Sequence, residues 1–455
     1  MSANLSNERV TERLAEHVLA VKHGDLPADA RRVARQCLLD WFAVTLAGST
    51  EPLTTILAEE AAEQGGNPDC TLVGLRQRGA TRQAALVNGA SSHALDYDDV
   101  NFHMGGHPTV TLVPAILALA EKRGSSGAQV LAAFVAGYEM AARVGALVRP
   151  SHYERGFHAT ATIGCFAAAA GCANLLGLDR ATTQTALGIA ATRAAGLKSM
   201  FGTMCKPLHA GMASESGLLA AVLAAKGFTA RTDAIECEQG FAATHADRMK
   251  IEAALEPPAS GLHVRNNLFK YHAACYLTHA PIECARELTR AHGLKPGDIA
   301  RIRLKIDRTA DKVCNIPAPV TGLESKFSLR QTIAFALTGV DTASLETYSD
   351  TLARDPRFGS LRDKIDIEFA DGWAHSLAEL AIETTDGRRF ATKYDAGVPA
   401  TDLDRQQQAL DGKFDSLAAP VLGKAGAAKL AGLVARFDEL PDLRELTAAL
   451  VPAAN

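Results

Sequence analysis

The sequence lacks the short motifs that identify several large enzyme classes. It contains no GxGxxG after a predicted strand, no GxxxxGK[ST], no HExxH and no GxSxG. Nucleotide-cofactor, zincin and α/β-hydrolase chemistry therefore lose support. Nine cysteines are present without a Cys-x-x-Cys pair, which argues against a zinc ribbon or a disulfide framework. We expect most of these thiols to be small buried side chains in a reducing compartment, and the protein to be cytoplasmic.

The chain also lacks an excess of charge of either sign. Its 455 residues carry a net charge of −4 with both signs interspersed, which favours neither a nucleic-acid partner nor a membrane partner. The first residues, MSANLSNERVTERLAEHV, contain no apolar h-region, and we expect no apolar run long enough to span a bilayer. With 47% hydrophobic residues, the chain can form more than one domain with a core of its own.

What the sequence has in abundance is apolar residues at helical spacing. Segments 26–48, 128–148, 159–178 and 208–228 are rich in Ala and Gly, which predicts a compact bundle of closely packed helices. From about residue 298 the pattern changes, because ARIRLKI (300–306), IDIEF (365–369) and LAIETTDGRRFATKY (380–394) alternate like strands. We therefore predict a mainly α fold with a smaller α+β domain over residues 267–399, followed by helices that can pack back on the first domain.

Four polar stretches interrupt this apolar background: HALDYDDVNFHMGGHPTV (93–110), YERGFHATAT (153–162), TMCKPLHAG (203–211) and NNLFKYHAAC (266–275). His158 and Lys206 stand at predicted helix starts, with Lys206 at or near the N-cap because Pro207 suits the first helical position. A basic side chain is unfavourable at a helix N-terminus unless an anion binds there. Several such groups suit a substrate with more than one carboxylate.

The stretch 93–110 has three possible interpretations: a metal site, an acid/base site, or a polar loop that caps a helix. Neither EF-hand nor zinc spacing is met, so no metal is expected. Asp98 and Asp99 fit capping or Asx-turn positions that hold the loop. Pro114 predicts that the next helix begins one or two turns after His107-Pro108.

The chain contains, in this order, HALDYDD with a later His-Pro, KPLHAG with GLLAAVLAAKGFTA, and FKYHAACYLTHAPIECA before a strand. This ordered set of motifs resembles the MmgE/PrpD family over most of the chain. This family includes 2-methylcitrate dehydratase, cis-aconitate decarboxylase and iminodisuccinate epimerase. The resemblance implies a large all-helical domain built from both chain ends, here 1–266 and 400–455, and an α+β lid over 267–399. It also implies a homodimer and chemistry without a cofactor in the cleft between the domains.

Position by position, the resemblance implies that Asp96 and His107 are the family's loop carboxylate and His-Pro histidine. The other matching polar residues complete the catalytic candidates, which are His158, Lys206 and Lys270. The candidates for substrate binding are His103, His209, Tyr271, His272 and Gln331.

Four positions depart from patterns within the family. Thr109-Val110 follows His107-Pro108 where methylcitrate dehydratases typically have Ser-Asp, and Val100 replaces the usual Thr. Gln331 stands where decarboxylase-like members have a tyrosine. The resemblance implies a lyase, of the dehydratase or decarboxylase type, that moves a proton α to a carboxylate of a small di- or tricarboxylic acid. An epimerase of an amino- or imino-dicarboxylate and a non-catalytic carboxylate-binding protein remain alternatives.

Overall fold

The computed structural model describes residues 9–453, which form two compact units. The first unit comprises the chain up to Phe269 and again from Thr401, and the second comprises Lys270–Ala400. The mainly α fold class is confirmed, because helices dominate the first unit and the four-stranded sheet belongs to the second. The first eight residues and the last two lie outside the described residues. The first eight belong to the N-terminal stretch in which the sequence shows no apolar h-region.

The helices and strands follow one another in this order. The first unit contains α1 (Val10–Ala20), α2 (Ala28–Gly48), α3 (Pro52–Gln64), β1 (Cys70–Thr71), β2 (Arg78–Gly79), α4 (Thr81–His93), α5 (Thr109–Arg123), α6 (Gly127–Val148), α7 (Ser151–Glu154), α8 (Ala159–Leu176), α9 (Arg180–Arg193), α10 (Cys205–Ala225), α11 (Phe241–His245) and α12 (Ile251–Leu255). The second unit contains α13 (His279–His292), β3 (Ile299–Asp307), α14 (Thr309–Cys314), α15 (Gly322–Lys326), α16 (Leu329–Leu337), α17 (Asp350–Ala353), α18 (Pro356–Arg362), β4 (Ile365–Ala370), β5 (Leu377–Thr384) and β6 (Arg389–Asp395). The chain then returns to the first unit with α19 (Leu403–Ala435), which is interrupted at Gly423, and α20 (Arg444–Ala449).

The sheet of the second unit has the strand order β4-β3-β5-β6. β3 pairs in parallel with β4 and antiparallel with β5, and β5 and β6 form an antiparallel hairpin. The hairpin turns at Asp386-Gly387, where Gly387 has φ 87°, a left-handed conformation that glycine adopts without steric cost. The three strand segments predicted from alternation are therefore confirmed.

Close contact between α4 and α10 organises the first unit. A Cβ on Gly211 of α10 would lie 2.2 Å from the carbonyl oxygen of Leu86, and one on Gly89 of α4 would lie 2.7 Å from the Cα of Gly211. The two backbones touch because neither glycine carries a side chain. His93 lies roughly one turn beyond Gly89, and Lys206 roughly one and a half turns before Gly211, so the contact brings these two polar residues to the same end of the helix pair.

Gly211→Ala is expected to destabilise the protein by roughly 1–3 kcal/mol, because the new methyl group must displace the backbone of α4. Urea unfolding measures the loss. Gly432→Ala is a matched control, since Gly432 is an exposed helical glycine with nothing within 4 Å of an added Cβ, and it should stabilise by about 0.5–1 kcal/mol. Equal effects of the two substitutions would contradict the importance of the α4–α10 contact.

The sequence predicts no apolar run long enough to span a membrane. Judged by helix length and composition, this prediction is wrong. Four helices meet both criteria, namely α6, α8, α10 and α19. Alanine-rich sequences reach this hydropathy without large side chains, and in α6 and α8 most of the apolar window is buried inside the unit. The windows of α6 and α8 therefore serve helix packing within the unit.

Candidate active site

A loop of residues 94–108 joins α4 to α5 and contains most of the first polar stretch. The side-chain oxygen of Asn101 accepts hydrogen bonds from the backbone N–H groups of His103 and Met104, and the Asn101 N–H donates to the Gly106 carbonyl. Gly106 lies against α8, because a Cβ there would be 2.9 Å from the backbone nitrogen of Thr160. The loop is therefore held by its own hydrogen bonds, with His107 beside the first turn of α8.

The helices that flank the polar stretches begin at slightly different positions from those predicted. α5 begins at Thr109, and Pro114 lies inside it. Burial of the apolar residues of α5 offsets the cost, about 3 kcal/mol, of proline in a helix interior. α10 begins at Cys205, so Lys206 lies in its first turn rather than at its N-cap. His158 is the N-cap residue of α8, as predicted.

Asp98 forms the centre of the polar cluster. Its Oδ1 lies 2.9 Å from Nδ1 of His93 and its Oδ2 lies 2.8 Å from Nδ1 of His107. Burial alone would raise the pKa of this carboxyl, but the neighbouring His107 and His93 outweigh burial and hold the pKa well below its usual range. The sequence interpretation assigned Asp98 only to holding the loop, so its contact with two imidazoles was missed.

The hydrogen bonds of His107 define which of its nitrogens faces the rest of the cluster. Nδ1 lies 2.8 Å from the Asp98 carboxylate and 2.9 Å from the Asp99 carbonyl oxygen. Both partners are acceptors, so Nδ1 carries the hydrogen and donates it. Nε2 is left on the side of Asp96, whose Oδ1 is 3.8 Å away. This nitrogen is therefore the one that can accept or deliver a proton.

Asp96 and Lys206 form an ion pair beside His107. The Lys206 Nζ lies 2.7 Å from Oδ1 of Asp96, and their side chains are 17% and 24% exposed. Asp96 has φ 51°, a left-handed conformation that is uncommon for a residue other than glycine. The pair is partly accessible, so an incoming carboxylate can exchange with Asp96 on the ammonium group.

His158 and His209 form a second imidazole pair, with their Nδ1 atoms 3.0 Å apart. One nitrogen must accept while the other donates, so the two rings cannot both be protonated. Burial, followed by the charges of His93 and Lys206, lowers the pKa of His158 well below its usual value, and burial lowers that of His209. Burial also lowers the pKa of His93 to about 4. His158 therefore acts as a neutral hydrogen-bonding group, not as the cationic end of an anion site.

The remaining predicted residues occupy other surroundings. His103 is exposed and its ring packs on His263, with centroids 4.8 Å apart. In the second unit, Lys270 is buried and Tyr271 is half-buried. His272 is buried between Glu283 and Thr342.

Gln331, also in the second unit, is fully buried, and its side-chain oxygen accepts from the Arg362 guanidinium. The residues that the first unit brings together are Asp96, His107, His158, Lys206 and His209. The contribution of the others stays a prediction.

The cluster also contains the donor types that bind metals. One ligand atom each of His93, Asp96, Asp98 and His107 lies within 4.8 Å of the others, a set of nitrogen and oxygen donors that suits a divalent transition metal. Lys206 and the two imidazoles already bind these carboxylates, so a metal would have to replace those hydrogen bonds. As it stands, the arrangement suits carboxylate binding at Lys206 and proton transfer at His107.

Comparisons with known proteins identify the family of the chain. The model of the MmgE/PrpD N-terminal domain matches residues 12–254, and the model of the MmgE/PrpD C-terminal domain matches residues 272–439. The chain is 26% identical to human cis-aconitate decarboxylase, with 97% of this chain and 94% of the human protein covered. It is also 26% identical to cis-aconitate decarboxylase of Aspergillus terreus, with 96% and 95% covered.

A further relative is the cis-aconitate decarboxylase-like protein oryM of Aspergillus oryzae, which is 30% identical over 62% of each chain. The two family models together span the chain from α1 to α19 and beyond, with a gap only between residues 254 and 272. The chain therefore belongs to the MmgE/PrpD family and is an enzyme of the lyase class.

Proposed function

We propose that the protein is a cofactor-independent lyase that decarboxylates a small tricarboxylic acid of the cis-aconitate type. The observation that carries the proposal is the joint placement of the Asp96–Lys206 ion pair and the Asp98-oriented His107 in one cluster. The names of the similar proteins support decarboxylation over dehydration. The family as a whole leaves a dehydratase or an epimerase as the alternative outcome of the test.

The cluster supplies the two functions that such a reaction needs. A carboxylate of the substrate binds the Lys206 ammonium, where a charge-assisted hydrogen bond holds it in place. When the carbon–carbon bond to the departing carboxylate breaks, carbon dioxide leaves and the electron pair stays on the substrate. The electron pair delocalises into a remaining carboxylate group, and the Lys206 charge stabilises the negative charge that develops on its oxygens.

His107 completes the reaction by proton transfer. Its protonated Nε2 delivers a proton to the substrate carbon and regains one from solvent. The Asp98 carboxylate accepts the hydrogen of Nδ1 and keeps the ring oriented. Lys270, the buried lysine at the start of the second unit, is a further proposed participant.

A substrate panel tests the proposal. The purified protein is incubated with cis-aconitate, citrate, 2-methylcitrate and aspartate-like dicarboxylates in D2O, and carbon dioxide release and proton NMR spectra are recorded. Carbon dioxide release with one deuterium in the product supports the decarboxylase. A new alkene absorbance without carbon dioxide indicates a dehydratase, and deuterium in recovered, inverted substrate indicates an epimerase. Tight carboxylate binding without any turnover would indicate a binding protein and overturn the proposal.

Lys206→Met is expected to raise KM by at least about tenfold, because it removes the charge that binds the substrate carboxylate. Thermal unfolding supplies an independent measure, since a ligand at 100 times its Kd stabilises the wild type by about 2.7 kcal/mol. The same ligand concentration should stabilise Lys206→Met far less. Lys198→Met is a control, because Lys198 packs on the Tyr153 ring outside the cluster.

A homodimer and a cytoplasmic location are part of the proposal. The homodimer is implied by the family resemblance, and the location by nine cysteines without a Cys-x-x-Cys pair. Light scattering during size-exclusion chromatography measures the mass, and fractionation of cells locates the protein. A monomer, or recovery outside the cytoplasm, would contradict these two points.

A further inference from the structure

A buried lysine in the C-terminal helix contacts the loop that contains Asp96 and Asp98. Lys413 of α19 has a side chain that is 3% exposed, and its Nζ lies 2.6 Å from Oδ1 of Asp40 in α2. The same nitrogen donates to the carbonyl oxygen of Tyr97 at 2.7 Å and lies 4.0 Å from the centroid of the Tyr97 ring. One ammonium group thus links two helices, α2 and α19, to the loop.

Stability alone does not account for this ion pair. Removing two charges from water costs several kcal/mol for each ion, and apolar replacements of buried pairs are often neutral or stabilising. Lys413 and Asp40 are both almost completely buried. A pair of this kind is better explained by the position that it imposes on the group it touches, here the Tyr97 carbonyl.

The position of this carbonyl matters because Asp96 and Asp98 flank it. Asp96 has the left-handed φ of 51° and contacts Lys206. Asp98, on the other side, contacts His93 and His107. A non-glycine residue keeps such an unfavourable backbone conformation only when its surroundings hold it. A fixed Tyr97 peptide provides that constraint.

We propose that Lys413, held by Asp40, is a positioning residue that fixes the Tyr97 carbonyl and thereby places Asp96 at Lys206 and Asp98 between the two imidazoles. Lys413 acts through the loop and not on the substrate. The catalytic part of this inference rests on the proposed function, whereas the positioning part concerns the loop alone. The two parts are tested by separate measurements.

The test compares two double variants that both remove the ion pair. Asp40→Asn/Lys413→Met leaves no charge at either position and no donor at residue 413 for the Tyr97 carbonyl. Asp40→Asn/Lys413→Gln also leaves no charge, but its amide can still donate to that carbonyl. Arg35→Met/Asp438→Asn is the control, because Arg35 of α2 and Asp438, which follows α19, form another ion pair between the same two segments, at 2.8 Å. Lys413→Arg keeps both charge and donor and provides a folded reference.

Hydrogen exchange of the amides of residues 94–107 measures positioning. Exchange should be at least about tenfold faster in the methionine double variant, about wild-type in the control and in Lys413→Arg, and intermediate in the glutamine double variant. Equal exchange in the two double variants, or wild-type exchange in both, would overturn the proposal. This comparison needs no turnover, so it stands even if the wild type proves inactive and the proposed function fails.

Kinetics with the substrate found in the panel measure the consequence for catalysis. The methionine double variant should lose at least about tenfold in kcat with a smaller change in KM, because misplacement of catalytic groups by about 1 Å can cost a hundredfold. The pH dependence of kcat should also change, because the Asp98 carboxylate that faces Nδ1 of His107 would be displaced. Loosened exchange with unchanged kcat and an unchanged pH profile would overturn the catalytic part of the proposal.

Discussion

Asp98→Asn is expected to reduce kcat by roughly 10³–10⁴-fold while the protein stays folded, by analogy with the aspartate that orients the histidine of a catalytic triad. The two oxygens of Asp98 accept from two different imidazoles, at 2.9 Å from His93 and 2.8 Å from His107. An amide replaces one of these oxygens by an NH2 group, which faces an N–H. If His107 changes its tautomer in response, its neutral ring carries the hydrogen on Nε2, and delivery of that proton to the substrate would leave an imidazolate instead of a neutral ring.

The kcat values of His107→Asn and Asp96→Asn provide the comparison for Asp98→Asn. His107→Asn should lose about 10²–10⁴-fold in kcat, the usual contribution of a general acid or base. Asp96→Asn should lose much less, since Asp96 lies 3.8 Å from His107 and its hydrogen bond goes to Lys206. Initial rates and pH–rate profiles measure all three variants. A larger loss in Asp96→Asn than in Asp98→Asn would assign the orienting function to Asp96.

The helices and strands were predictable because their signals are local. The apolar periodicity of segment 159–178 predicts α8, and the alternation of 300–306 predicts β3. The start of α5 was not predictable in this way, since the rule that places proline at a helix start was outweighed by burial of the residues around Pro114. Local rules fail where tertiary packing contributes more free energy than backbone preference.

The polar cluster was predictable as a set of stretches but not as a set of contacts. The sequence shows three aspartates between 96 and 99, yet which of them faces His107 depends on the left-handed φ of Asp96. Lys413 contacts the Tyr97 carbonyl across 316 positions of sequence, and nothing in the residues around it indicates that contact. Likewise, the pattern around Gln331 predicts a helix but not that Arg362 covers its side chain.

Asp99→Asn is expected to change the pH dependence of stability by about 4 kcal/mol between pH 5 and pH 8. Burial, and then the charge of Asp40, raises the pKa of Asp99 from its usual value to about 8. The unfolded chain releases this proton above about pH 4, whereas the folded protein keeps it up to about pH 8. The folded state therefore binds the extra proton throughout this window, and the wild type loses stability as the pH rises.

The amide cannot titrate, so Asp99→Asn should gain stability relative to the wild type steadily from pH 5 to pH 8. Urea unfolding at several pH values measures the difference between the two proteins, in which contributions from the other titrating groups cancel. Glu139→Gln provides a second comparison, because burial raises the pKa of Glu139 to about 7 and its relative gain should therefore level off near pH 7. A difference that does not vary with pH would mean that Asp99 is ionised in the folded protein. Lys413 would then neutralise two buried carboxylates instead of one.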